Sequence, residues 1–230
     1  MAFIVLEGLD GAGKSTQIRQ LQEWLDEQGM AYEYLHFPRF ATPVYGDLVA
    51  RFLRGELGGV EEVNPYLVGL IYAGDRRDAA ETIRRWLTQK KVVIIDRYVT
   101  SNIAYQCAKL ESDDEKKALR EWILNLEYND HAIPRPDITL FLDVPFAFTE
   151  KSLSKNREGD DREYLQGKED IHEASLKLQQ EVRQVYLNEA EHDPTVKIVT
   201  CSDSNGHMLL PEQTFEKIKE YLKPILQGDV

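Results

Sequence analysis

The apolar run Phe3-Ile4-Val5-Leu6, followed at once by Gly8-Leu9-Asp10-Gly11-Ala12-Gly13-Lys14-Ser15, constrains the fold of this chain more than any other segment. Such a run reads as a buried strand, and the glycine-bracketed turn after it leads into an amphipathic helix over 17–28, with Ile18, Leu21, Trp24 and Leu25 on one face. An anionic phosphate chain needs many donors and little side-chain bulk close by. Glycines at Gly8, Gly11 and Gly13, with the small Ala12 between the last two, let successive backbone N–H groups converge on it at the positive end of the helix dipole. Lys14 adds a fixed charge, and the Ser15 hydroxyl suits a Mg²⁺ that travels with a nucleotide. A chance Gly-rich turn is the alternative, and the strand before it and the helix after it speak against that.

The chain has 230 residues, which fits one large α/β domain over 1–230 better than two independent ones. It carries 28 Lys and Arg against 40 Asp and Glu, a net charge of −12, so a nucleic acid is not an expected partner and any phosphate must be met by local basic groups. The two cysteines, Cys107 and Cys201, have neither a metal-type nor a redox-type spacing, and the histidines show no ligand spacing. No apolar stretch approaches the length of a membrane helix, and no leader segment precedes the first strand. A soluble cytoplasmic protein without membrane contact is therefore expected.

Short apolar runs over 3–6, 32–37, 92–96, 138–144 and 196–201 alternate with helical patterns, which predicts a five-stranded parallel sheet flanked by helices. The third and fourth runs are almost wholly apolar, as central strands covered on both faces should be. Helices are expected over 14–28, 44–53, 65–89, 102–108, 115–126, 146–153, 169–191 and 211–226. Ligands of such sheets sit beyond the carboxyl ends of the strands. After the second strand, Pro38 stiffens the exit and aims Arg39 at a phosphate, unless Arg39 is simply a solvated surface residue. The third strand ends in Asp96-Arg97-Tyr98, followed by Ser101, Asn102 and Tyr105. Asp96 is placed to hold a magnesium-bound water, and Arg97 to neutralise a transferring phosphoryl group. Tyr72 and Arg76, four apart on one helix face, suit a planar base, although a core aromatic beside a surface arginine has the same spacing. The mixed-charge segment 152–168, with Arg157 and Arg162, is the best candidate for a lid over the phosphates.

Six ordered motifs give the chain a family resemblance over residues 3 to about 191. They are the phosphate loop itself, Phe-Pro-Arg-Phe, Ala-Gly-Asp-Arg, Asp-Arg-Tyr-Val-Thr-Ser-Asn-Ile-Ala-Tyr-Gln, Pro-Arg-Pro-Asp-Ile-Thr-Leu-Phe-Leu-Asp-Val-Pro, and an Asp170-Ile171-His172-Glu173 stretch after the lid. Together they resemble thymidylate kinases, which implies a P-loop NTPase three-layer sandwich with a short lid, transfer of the γ-phosphoryl group of ATP to dTMP, a Mg²⁺ requirement and a homodimer. By the same resemblance, Lys14, Ser15 and Thr16 contact the ATP phosphates and the metal, and Asp10 faces the acceptor. Arg39 and Arg97 hold the dTMP phosphate, Tyr72 stacks on thymine and Arg76 contacts a base carbonyl. Ser101, Asn102 and Tyr105 complete the acceptor pocket, Tyr105 beside the sugar, and Glu173 serves the acceptor side.

Two departures from the family pattern matter. Gly11 stands where some members carry an arginine, so the transition-state cation is expected from Arg157 or Arg162. Ile171 replaces the usual arginine of the Asp-Arg-x-Glu stretch. Another (deoxy)nucleoside monophosphate or deoxynucleoside kinase, and a non-catalytic nucleotide-binding module, remain the alternatives, separated from the first reading by whether nucleotide turnover depends on dTMP.

Overall fold

The computed structural model describes residues 2–153, 160–166, 170–172 and 175–227, and of residues 152, 153 and 160–162 the backbone alone. Strands β1 (Phe3–Gly8), β2 (Tyr32–His36), β3 (Val92–Asp96), β4 (Ile138–Asp143) and β5 (Val196–Thr200) form one parallel sheet in the order β2-β3-β1-β4-β5. The five strands expected from the sequence are all present. The near-continuous apolar runs of β1, β3 and β4 occupy the three interior positions, where both faces are covered.

Strand alternation divides the interior into two layers. Phe3, Val5, Val93, Ile95 and Phe141 point to one face, against helices α3 (Pro65–Thr88), α4 (Val99–Cys107), α5 (Asp113–Asn125) and α7 (Leu176–His192). Ile4, Leu6, Ile94, Leu140 and Leu142 point to the other, against Ile18, Leu21 and Leu25 of α1 (Lys14–Glu27) and Phe215, Ile218 and Leu222 of α8 (Pro211–Gln227). The result is the three-layer sandwich that the pattern predicts. A smaller cluster of Val49, Phe52, Leu53 and Val68 joins α2 (Tyr45–Leu53) to α3 and lies under Tyr164 and Ile171. Helix α6 (Phe146–Leu153) precedes a 3₁₀ turn at Asp160–Leu165. Among the described residues no helix is long and apolar enough to cross a membrane.

Three helix boundaries differ from expectation. Helix α4 begins at Val99 and not at Asn102, because the carboxyl group of Glu7 on β1 accepts from the amides of Tyr98 (2.9 Å) and Ser101 (3.1 Å) and so satisfies donors that the local sequence leaves open. Helix α7 starts at Leu176 and not near Glu169. Asp170 accepts from the His172 amide at 2.8 Å, Ile171 donates to the Leu53 carbonyl at 3.0 Å, and the Ser175 hydroxyl caps the Leu178 amide at 3.2 Å. Helix α5 runs on into a π-helical turn at Leu126–Asp130, a feature without a sequence signal.

The loop after β2 passes so close to α2 that Gly46 has no room for a side chain. A Cβ there would lie 2.2 Å from the Arg39 carbonyl and 2.9 Å from that of Phe40. Gly46→Ala should therefore displace the 37–42 loop and destabilise the fold by about 1–3 kcal/mol in equilibrium denaturation.

Candidate active site

The phosphate loop leaves β1 at the point where the chain order of the sheet reverses, between β3 and β4. Gly11 (φ 77°) and Gly13 (φ 83°) take the left-handed backbone that the turn requires and a Cβ disfavours. Lys14 folds back under the loop, with its Nζ 3.3 Å from the carbonyls of Gly8 and Leu9. Burial lowers its pKa and the Arg97 charge adds to this, while Asp96, Asp10 and Glu7 oppose the shift. The loop opens on a cavity of about 630 Å³ lined by Asp10 to Thr16 of the loop and by Tyr72 and Arg76 of α3, Arg97 after β3 and Asn102 and Tyr105 of α4, among others.

Asp10 and Arg97 form the bridge between the two halves. Arg97 Nη2 donates to Asp10 Oδ1 at 2.6 Å, and Tyr105 Oη (2.8 Å) and Gln179 Nε2 (3.0 Å) donate to Asp10 Oδ2. Burial raises the Asp10 pKa, but the charges of Arg97 and Lys14 with these hydrogen bonds outweigh it and hold the carboxyl group well below its usual range. Arg97 is a non-glycine residue at φ 66°, a costly conformation that the surrounding contacts must sustain. Its own amide donates to the Leu6 carbonyl at 3.0 Å, and the next residue is fixed by Glu7.

Glu7 is the buried knot behind this bridge. Besides the two amides it accepts from Ser101 Oγ at 2.5 Å and from Tyr186 Oη at 2.9 Å. Ser101 is thereby drawn toward the interior, although it also contacts Arg97 Nη1 at 3.3 Å and lines the cavity. On β3, Asp96 meets His36 Nδ1 at 3.1 Å, while its Oδ1 is buried without a partner among the described residues. Asn102 Oδ1 and His172 Nε2 are likewise buried and unpartnered among the described residues, and all three residues line the cavity. Interior polar atoms are normally satisfied, so three orphans around one cavity mark a surface shaped for a polar ligand.

Tyr72 and Arg76, four apart on α3, both line the cavity. Arg76 is not a surface residue. It is 2 % exposed and held in a fork by Glu127, at 2.5 Å through Nε and 2.6 Å through Nη2. Arg39 is not among the residues lining the cavity, although its neighbours Pro38 and Phe40 are. Asp75 binds its Nε at 2.9 Å and its amide at 2.8 Å, and Asp78 binds Nη2 at 2.7 Å, so its guanidinium is held against α3. Arg157 and Glu173 fall outside the described residues, as does the side chain of Arg162.

Sequence reasoning missed Glu7, Glu127, Gln179, His172 and Tyr164. The ring of Tyr164 stacks on Phe40 (3.7 Å between centroids, 8° between planes), its hydroxyl donates to Asp170 at 2.7 Å, and Arg54 donates to its carbonyl at 2.6 Å. His172 stacks on Tyr105 and stays neutral, because burial, with Lys109 nearby, lowers its pKa well below the ordinary range. The available sequence signals were an aromatic within the mixed-charge segment 152–168 and a histidine beside a motif acid.

A carboxyl group whose folded pKa is depressed stabilises the native state above its unfolded value, and the stabilisation is lost as pH falls. Asp10→Asn should cost roughly 2–4 kcal/mol near neutral pH, because the buried Arg97 charge loses its partner. The gap between parent and variant in denaturant unfolding should narrow as pH falls below the ordinary carboxylate value of 3.8.

A family model described as thymidylate kinase matches residues 6–208. The chain is 32% identical to a probable thymidylate kinase of Pyrococcus abyssi over 228 residues, covering 98% of each. It is 36% identical to the thymidylate kinase of Mycobacterium tuberculosis (strain ATCC 25618 / H37Rv) over 142 residues, an alignment that takes in 62% of this chain and 65% of that relative. A solved thymidylate kinase structure from Candida albicans superposes with a TM-score of 0.72 at 26% identity, covering 96% of this chain and 91% of that one. With the family model matching residues 6–208 and a relative 32% identical across 98% of both chains, the chain belongs to the thymidylate kinase family.

Proposed function

We propose that this protein transfers the γ-phosphoryl group of ATP to dTMP, giving ADP and dTDP, a step on the way to dTTP. The observation that carries the reading is the single cavity in which the phosphate loop faces the Tyr72–Arg76–Asn102 wall, with the Asp10–Arg97 pair between them. A triphosphate on the loop and a nucleoside monophosphate on the opposite wall would meet end to end at Arg97.

The acceptor is a phosphate oxygen whose second pKa is about 6, so it is largely ionised at neutral pH and needs no strong base. Asp10 fits that requirement. Held well below the usual carboxylate range, it is a poor proton acceptor and a good anchor, fixing Arg97 and the Tyr105 hydroxyl in place. Arg97 is the cation nearest the junction, and Lys14 supplies charge to the donor phosphates when they displace its two carbonyl contacts. Tyr72 offers a flat face to the base and Arg76 a donor to its edge. Tyr105, backed by His172, forms the sugar wall and disfavours a 2′-hydroxyl by bulk.

The residues present also fit a magnesium ion. Asp96 Oδ1 is a buried acceptor without a partner among the described residues, and Ser15 lines the same cavity. A magnesium ion commonly takes one or two protein oxygens and several from phosphate, a demand these two side chains could meet. When bound, it would neutralise phosphate charge and help orient the donor. The same reading assigns Arg157 and Arg162 to the transferring group, keeps Arg39 and Glu173 on the acceptor side, and takes residues 1–230 as one domain of a cytoplasmic homodimer. Leu67 and Leu70, exposed on α3, are the apolar positions that support self-association, and light scattering at micromolar concentration tests it.

A coupled ADP-release assay with ATP, Mg²⁺ and each of dTMP, dUMP, dCMP, AMP and thymidine tests the assignment. Release should depend on dTMP, with some dUMP turnover, since one methyl group is worth only about 1–3 kcal/mol of discrimination. Release with another acceptor would reassign the base wall, and release without any acceptor would leave a hydrolase or binding module. Arg97→Ala should lower kcat by about 100-fold or more, as expected for loss of a preorganised cation. Arg157→Ala and Arg162→Ala should not both retain kcat within a few-fold of the parent, given Gly11 in the loop.

A further inference from the structure

This inference rests on the acceptor reading above and concerns what fixes the polarity of its base-reading edge. Glu127 lies on the π-helical turn Leu126–Asp130 and is completely buried. Its Oε2 accepts from Arg76 Nε at 2.5 Å, and its Oε1 accepts from both Arg76 Nη2 (2.6 Å) and Asn102 Nδ2 (2.9 Å). The same Asn102 nitrogen donates to the Gly69 carbonyl on α3 at 3.0 Å. Both amide hydrogens of Asn102 are thus committed, and its remaining side-chain polar atom is Oδ1, buried, without a partner among the described residues and part of a residue that lines the cavity. Arg76 has spent Nε and Nη2 on Glu127, which leaves Nη1 uncommitted among the described residues.

We infer that Glu127 is a positioning residue that presents Arg76 as a donor and Asn102 as an acceptor side by side, and so selects a base carrying a carbonyl next to a ring N–H. Both groups meet on one oxygen of Glu127, so their order is not free to reverse: an Asn102 amide turned the other way would set its carbonyl oxygen against Glu127 Oε1 and leave the Gly69 carbonyl without a donor. A donor beside an acceptor matches the imide edge shared by thymine and uracil. It opposes the edge of cytosine, where the ring nitrogen accepts and the amino group donates. A carboxyl group that served only to neutralise a buried arginine would leave that preference untouched.

Glu127→Gln tests the idea, because a glutamine has one acceptor oxygen where the carboxylate has two and cannot meet Arg76 Nε, Arg76 Nη2 and Asn102 Nδ2 together. If its amide donates toward Asn102, Asn102 can turn Oδ1 inward and show Nδ2 to the cavity. The expected result is a KM for dTMP raised about tenfold or more with the KM for ATP within about twofold, and a dTMP-over-dCMP ratio of kcat/KM lowered at least about tenfold. Glu127→Asp keeps an acceptor on both sides and should restore much of the ratio. A folded Glu127→Gln with an unchanged ratio would overturn the inference. So would loss of ATP binding in parallel with dTMP binding in both variants, by calorimetry, since Glu127 would then hold the fold and not the edge. If the parent enzyme fails to phosphorylate dTMP, the acceptor reading itself fails, and the calorimetric preference of parent over variant for dTMP against dCMP still decides the role of Glu127.

Discussion

The geometry of the site depends on one buried side chain at the end of the first strand. Glu7 accepts from two amides at the start of α4, from Ser101 and from Tyr186, and so ties β1 to α4 and α7 at the place where the phosphate loop begins. Without those bonds the amides of Tyr98 and Ser101 would be buried donors lacking partners, a loss of about 1–3 kcal/mol each. The left-handed backbone of Arg97 sits directly before this cap and is held on its other side by the Leu6 carbonyl. The cation at the centre of the cavity is therefore aimed by strand and helix together and not by its own side-chain preferences.

A second pattern concerns three arginines at or near the cavity, each of which meets an acid. Arg97 is paired with Asp10, Arg76 with Glu127 and Arg39 with Asp75 and Asp78. In a chain of net charge −12 this arrangement is cheap in residues and costly in desolvation, and breaking one partner of such a buried pair leaves an uncompensated charge worth several kcal/mol. What is obtained is direction. Each guanidinium has part of its fork fixed, and the uncommitted part has a defined heading.

Much of the fold was legible because the strands are almost purely apolar and the phosphate loop has little freedom in how it joins strand to helix. The four-residue spacing put Tyr72 and Arg76 on one helix face but fitted a core aromatic beside a surface arginine as well, and the family motifs singled them out; the place of Asp96 and Arg97 beyond a buried strand was legible from position. The unread part has a common physical cause. Glu7, Glu127 and Gln179 act through contacts with residues far away in sequence, and nothing local distinguishes them from a strand-end or helix acid or a helix glutamine. The π-helical turn that delivers Glu127 leaves no periodic trace. Arg39 shows the converse: its loop was read correctly, but Asp75 and Asp78 on a separate helix decide where the side chain points. The start of α7 was misplaced because a tertiary bond from Ile171 to the Leu53 carbonyl and the local turn in which Asp170 accepts from the His172 amide hold the residues before it out of the helix.

The bond between Glu7 and Tyr186 closes a separation of 179 residues, and that between Asp10 and Gln179 one of 169. During synthesis the N-terminal strand and its loop leave the ribosome long before α7 exists, so the acids at their tips wait for most of the chain before meeting their partners. The acceptor half of the site is thus among the last parts of the molecule to assemble. A nascent chain that stops short of α7 can build the central strand pairs yet cannot complete the wiring around Asp10, which keeps a half-made protein from presenting a finished site.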